Sequence, residues 1–196
     1  MTEVRRVCVF CGAQPGHGED HVKLADALGT AIARRGLGLV YGGGKVGLMG
    51  VVADAALRGG AEVIGVIPEA LMDRELGHGG VTDLRVVPSM HVRKATMNDL
   101  SDGFVVLPGG IGTLEEAVEI QSWSQLGIHQ KGLVFLDTHN YWAPYFALLE
   151  RMEAEGFVRP QHAGLALRAH TPDKALDLLA QWEPPKVTRW MTQTET

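Results

Sequence analysis

Short apolar runs recur along the chain, each followed by a turn and then by apolar residues at helical spacing. Read with a period of two inside the runs and 3.6 after them, the pattern predicts strands at Val4–Phe10, Leu37–Tyr41, Glu62–Ile67, Leu84–Val87, Phe104–Leu107 and Gly132–Leu136. A helix starting near Asp20 is carried by Val22, Ala25, Leu28 and Ile32 and stops at Gly36 after Arg34 and Arg35. A second runs through Ala53, Ala56 and Leu57 to Gly59-Gly60, and a third, capped by Ser89, runs from Met90 to Leu100. The remaining helices lead from a glycine turn to about Trp123, from Trp142 to Glu155, and from Thr171-Pro172 to near Trp182. Pro68–Asp83, with three glycines and several charges, reads as a mobile loop able to close over a ligand.

Alternating strands and helices predict an α/β, Rossmann-like three-layer domain: a parallel sheet covered by helices on both faces. It spans residues 1–183, and residues 184–196 form a polar tail that is mobile or docks on a partner chain. In such sheets ligands sit beyond the carboxyl ends of the strands, where the strand order reverses. Three turns are expected at that edge: Cys11–Gly16, Gly42–Gly47 and Pro108–Gly112.

Composition narrows the partners. The 196 residues suffice for one core without disulfides, and the net charge of −5 argues against a nucleic-acid polymer. No apolar stretch approaches membrane-spanning length, and Met1–Arg6 leads into a strand rather than a secretory segment, so no membrane partner and a cytoplasmic location are expected. Cys8 and Cys11 are three apart on a strand and point to opposite faces, which disfavours a redox or zinc pair. His17 and His21 have helical spacing with Gly18 between them, and read as a solvated pair rather than metal ligands.

The strongest chemical signal is Pro108-Gly109-Gly110-Ile111-Gly112-Thr113-Leu114-Glu115-Glu116. A glycine turn opening a helix offers unpaired N–H groups and the positive end of the helix dipole to a phosphate. Glu116, about one turn inside, then lies near whatever carries that phosphate. Thr113 and Glu116 also match a capping box, a purely structural role. Gly42-x-Gly44-x-x-Gly47 has the form of a dinucleotide fingerprint, but it follows the second strand and lacks the acidic residue ending the next one, so a tight turn or a mononucleotide site is favoured. Arg93 and Lys94 open a helix at the same edge; a surface arginine is the ordinary reading of the first, and the two side chains point about a quarter-turn apart.

Taken together, Phe10-Cys11-Gly12, the Gly42–Gly50 turn, Met90-His91-x-Arg93-Lys94, Pro108-Gly109-Gly110-x-Gly112-Thr113-x-x-Glu116 and Trp123-x-Gln125-Leu126-Gly127-Ile128-His129 resemble the LONELY GUY family of cytokinin riboside 5′-monophosphate phosphoribohydrolases, from about Val4 to Trp182. The resemblance implies cleavage of the N-glycosidic bond of N6-modified adenosine 5′-monophosphates, with AMP as a further substrate. It implies catalytic positions at Arg93 and Glu116, and a substrate-binding turn of Gly109, Gly110, Ile111, Gly112, Thr113, Leu114 and Glu115. Glu75, Lys94, Gly43 and Gly44 are further substrate positions, and a homodimer is implied. Many relatives have carried the label lysine decarboxylase, yet the chain is short for a pyridoxal-phosphate enzyme and no lysine stands in an evident cofactor pocket. No metal or organic cofactor is expected.

One departure concerns substrate preference. Many relatives have serines after Cys-Gly, whereas this chain has Ala13-Gln14-Pro15, so a hydroxyl contact is lost or replaced by the Gln14 amide. Glu116 is suited to stabilising oxocarbenium charge, activating water or attacking covalently, and sequence does not choose among them. Arg93, which keeps its proton near neutral pH, acts electrostatically. A non-catalytic nucleotide or cofactor carrier of the same fold, and a nicotinamide-dependent enzyme, are the competing readings.

Overall fold

A computed structural model describes residues 3–185. Seven strands, β1 (Arg6–Phe10), β2 (Gly38–Tyr41), β3 (Val63–Pro68), β4 (Asp83–Val87), β5 (Gly103–Val106), β6 (Gly132–Leu136) and β7 (Ala166–Ala169), form one sheet in the order β4-β3-β2-β1-β5-β6-β7. All six pairings are parallel. The order reverses between β1 and β5, so the chain leaves these neighbours in opposite directions and opens a crevice above them.

Among the described residues seven helices accompany the sheet: α1 (Asp20–Arg34), α2 (Gly47–Arg58), α3 (Met90–Leu100), α4 (Ile111–Gln125), α5 (Ala143–Ala154), the single turn α6 (Pro160–Ala163) and α7 (Pro172–Ala180). Alternation along the strands sorts the core into two clusters. Val7, Val9, Leu39, Tyr41, Val105 and Val134 pack under α1, α2 and α7. Cys8, Phe10, Val40, Phe104, Val106 and Phe135 pack under α3, α4 and α5. The two cysteines obey the same rule: Cys8 lies in one cluster and Cys11 in the other, both as free thiols. The expected three-layer architecture is therefore present. Among the described residues no helix is long and apolar enough to cross a membrane.

Four expectations need correction. Strand β7 was not anticipated, because Ala-Leu-Arg-Ala is short of β-branched residues and its two middle side chains are only half-buried at the sheet edge. The single turn α6 is too short for a periodic signal. The segment 68–83 is not an unattached loop. It contains a 3-10 turn at Glu69–Leu71, the Lys45 N–H donates to Glu75 O at 2.9 Å, and the His78 N–H donates to Gly43 O at 2.8 Å. The buried His78 ring places Nε2 3.0 Å from Asp54 Oδ1 and accepts from the Gly80 N–H through Nδ1. Finally, the last helix ends at Ala180, short of Trp182. The polar tail expected from 184 onward lies outside the described residues from position 186.

Candidate active site

The crevice at the strand-order reversal holds a cavity of about 480 Å³, within the usual size of small-molecule sites. Its floor is the turn after β1, from Cys11 to Gly16; one wall is the turn after β5 with the start of α4. These turns are tied together: the Gly12 N–H donates to Pro108 O at 3.1 Å, and the Leu48 N–H donates to Gly12 O at 3.0 Å. Gly47 sits where a Cβ would come within 2.3 Å of the Ala13 carbonyl carbon, and its φ is +57°. The second glycine turn is thus a tight turn seating α2 against the first loop.

Helix α4 begins earlier than a capping box at Thr113 requires. Its N-cap is Gly110, without a side-chain cap, and Thr113 is already the third helical residue, buried with its Oγ1 close to Gly109. The structural reading of Thr113 and Glu116 is therefore overturned. The first amides of α4 are left to be satisfied from outside, and a Cβ built on Gly110 or Gly112 would meet nothing within 4 Å.

Glu116 projects from the second turn of α4 into the cavity with only 9% of its surface exposed. Burial pushes its carboxyl up to about 7, partly opposed by the nearby charge of Arg93 and reinforced by Glu115 and Glu75. A group poised at neutral pH is what proton transfer from water requires.

Arg93 is not a surface arginine. It is 4% exposed, and its Nε donates to Val66 O at 3.1 Å while Nη2 donates to Gly42 O at 2.8 Å and meets Glu75 Oε2 at 3.4 Å. A Cβ on Gly42 would fall 2.0 Å from Nη2, so that glycine exists to admit the guanidinium. The strong acceptors occupy Nε and Nη2, whereas among the described residues Nη1 meets only the Met90 sulfur at 3.7 Å. Nη1 is thus the corner of the fork open to a ligand. Glu75 also lines the cavity, and burial raises its carboxyl above its ordinary value against the lowering effect of Arg93.

The sequence-predicted positions divide into two groups. Glu75, Arg93, Gly109, Gly110, Gly112, Thr113 and Glu116 line one cavity. Lys94, by contrast, is buried against α4, with Nζ 2.5 Å from Glu115 Oε1 and 2.9 Å from Glu119 Oε2. Lys94 and Glu115 therefore brace α3 against α4 rather than face the cavity. Ile111 is 82% exposed, and Leu114 packs on the core. A Cβ on Gly43 would press on Ile67, and Gly44 bridges Gly77.

Other lining residues escaped the sequence reading. His21, expected to be solvated, is half-buried, lines the cavity and meets the Tyr141 ring edge-on at 5.9 Å. Leu48, Met49, Leu71 and Met90 add apolar surface. Tyr141 lies beyond the carboxyl end of β6, at the same sheet edge as the glycine turns, and the topological rule would have found it. The thiol of Cys11 is raised far above its usual range by burial, which keeps it protonated and unsuited to nucleophilic attack.

Residues 49–179 match a family model described as possible lysine decarboxylase. A pyridoxal-phosphate cofactor, which such an activity implies, does not fit these residues: it needs a lysine for its Schiff base, and among the described residues the cavity lining contains none. The relatives point elsewhere. The probable cytokinin riboside 5′-monophosphate phosphoribohydrolase LOGL2 of Oryza sativa subsp. japonica is 44% identical over 184 residues, covering 94% of this chain and 75% of that protein. The cytokinin riboside 5′-monophosphate phosphoribohydrolase of Rhodococcoides fascians is 50% identical over 157 residues, covering 80% and 79%. LOG3 of Arabidopsis thaliana, with the same activity in its name, is 41% identical over 183 residues, covering 93% and 85%. Among solved structures, the molybdenum cofactor binding protein of Rippkaea orientalis superposes with a TM-score of 0.68 over 91% of this chain and 96% of that one, at 22% identity. That likeness is one of fold alone.

Proposed function

Since the chain belongs to the LONELY GUY family, within the possible lysine decarboxylase model, we propose that it hydrolyses the N-glycosidic bond of N6-modified adenosine 5′-monophosphates, and of AMP, to free base and ribose 5-phosphate. The observation that carries this reading is the pairing of an uncapped helix N-terminus with a buried carboxylate poised near neutrality in the same cavity.

The 5′-phosphate sits on the first amides of α4, where Gly110 and Gly112 leave room for it. The ribose then reaches Glu116. As the C1′–N9 bond breaks, positive charge develops on the sugar and negative charge on the departing purine. In its ionised form Glu116 stabilises the first and takes a proton from the attacking water, whose oxygen bonds to C1′; that proton then passes, directly or through solvent, to the purine anion, which leaves as the free base. Arg93 acts through charge, with Nη1 presented to the nucleotide and Glu75 holding the opposite edge of the guanidinium. The apolar surface of Leu48, Met49, Leu71 and Met90 receives the base and its N6 substituent.

We also infer a homodimer: Val92 on α3, Val118 on α4 and Leu148 on α5 leave apolar side chains 39 to 50% exposed on one helical layer. Sedimentation at micromolar concentration tests it. The function is tested by chromatography of base released from a panel of monophosphates, diphosphates and unphosphorylated ribosides. Release confined to monophosphates is expected, whereas AMP binding without any release would make the protein a nucleotide carrier.

A further inference from the structure

Tyr141 reaches the phosphate-binding turn from a segment outside every sequence motif of the site. Its hydroxyl donates to the Gly109 carbonyl at 2.6 Å, while its ring lines the cavity beside His21. The bond lands on the peptide joining Gly109 to Gly110. That peptide is flanked by two glycines and has wide rotational freedom by itself, yet its amide helps open α4. Because the peptide is planar and trans, fixing its carbonyl also fixes the Gly110 N–H in the opposite direction.

Tyr141 is itself held from below. Asp137, fully buried at the end of β6, accepts from the Trp142 N–H at 3.2 Å and from Arg168 Nε on β7 at 2.9 Å. Arg168 Nη2 donates to Asn140 Oδ1 at 2.9 Å, and Asn140 adopts a left-handed φ of +59° immediately before the tyrosine. A residue in that conformation is kept there by its surroundings. The unforeseen strand β7 thereby gains a purpose, supplying the arginine that fixes the loop.

We propose that Tyr141 is a positioning residue of the active site: its hydroxyl locks the Gly109–Gly110 peptide so that the amide cradle is ready for the 5′-phosphate before the nucleotide arrives. This rests on the proposed phosphoribohydrolase activity, but its binding arm does not need turnover. Preorganised donors save the reorganisation that a floppy turn would require. The Phe variant keeps the ring and removes only the lock.

The test compares wild type with Tyr141→Phe in two assays. In steady-state hydrolysis, KM for the nucleoside monophosphate rises about 2-fold to 10-fold, in line with loss of one solvent-accessible hydrogen bond, while kcat changes by less than about 3-fold. In calorimetry, AMP binding weakens by a similar factor and adenosine binding is unchanged. Equal KM and equal AMP affinity in the two proteins would overturn the proposal while leaving the activity intact. A wild type that binds AMP but hydrolyses nothing would defeat the activity, and calorimetry would still judge the lock. Should the Phe variant not fold, Asn140→Gly, which releases the strut and keeps the hydroxyl, must weaken AMP more than adenosine. Unchanged AMP binding by it would count against the lock.

Discussion

Lys94 Nζ lies 2.9 Å from Glu119 Oε2, across the gap between α3 and α4, while its neighbour Arg93 turns away from α4 toward Gly42 and Glu75. Adjacent residues on one helix thus divide two tasks, the lysine setting the spacing between helices and the arginine addressing the cavity.

That division predicts different losses. Lys94→Met, which removes the brace but keeps the stem, should lower kcat/KM only about 3-fold to 10-fold, because it acts only through the placement of α4, which carries both the phosphate-binding amides and Glu116. Arg93→Lys should cost on the order of 10²-fold to 10³-fold in kcat/KM, since a lysine cannot fork between two carbonyls and still face a ligand. Similar losses for both variants in steady-state kinetics would argue that Lys94 touches substrate after all.

Glu116→Gln should lower base release by on the order of 10²-fold to 10³-fold while AMP still binds. The same variant should be the more stable protein. The folded carboxyl is raised from 4.5 to about 7 by burial, so Glu116 adds stability below its unfolded value and loses it as pH rises through the folded one. At pH 8 the ionised residue costs roughly 3 kcal/mol, taking 1.36 kcal/mol per pH unit. Melting curves should therefore show Glu116→Gln well above wild type at pH 8, with the gap shrinking toward pH 5. A gap independent of pH would contradict the assignment.

The same carboxyl sets the pH dependence of catalysis. Since its ionised form is the working one, kcat/KM should rise with pH through an inflection near 7. Carboxyl NMR of the ligand-free protein should show Glu116 titrating at that point, which separates it from the substrate's own phosphate ionisation near 6. A Glu116 resonance already fully ionised at pH 5 would refute the burial argument.

His129 offers a check on the fold beneath the site. Its ring is buried against Phe104, with Nε2 2.9 Å from Ile120 O and Nδ1 accepting from the Lys131 N–H at 3.1 Å. That arrangement fits the neutral ring protonated at Nε2. Burial lowers it to about 4 from 6.5, so it contributes stability that disappears as pH falls from about 6.5 to 4. Histidine NMR should find one ring silent until about pH 4 and fixed in the Nε2–H tautomer; ordinary titration near 6.5 would show the packing to be wrong.

Most strands and the glycine turns were legible because buried parallel strands are nearly pure Val, Leu, Ile and Phe, and Gly109-Gly110 announces a backbone that must stay open. What escaped had no local signature. Strand β7 is Ala-Leu-Arg-Ala, an edge strand whose arginine matters for an ion pair with Asp137, 31 residues away. Thr113 looked like a cap because its neighbours suit one, and only the start of α4 at Ile111 decided otherwise. The burial of Arg93 depends on Gly42, 51 residues earlier, and Lys94 on Glu119 of another helix. Tyr141 and His21 belong to the cavity only through the sheet order, which periodicity does not reveal.

The most direct test is a crystal structure of Glu116→Gln with AMP bound. The phosphate should lie within hydrogen-bonding distance of the amides from Gly110 to Thr113, with the side chain at position 116 facing C1′ of the ribose and Arg93 Nη1 turned to the nucleotide. A phosphate seated away from the start of α4, or residue 116 directed away from the sugar, would contradict the account.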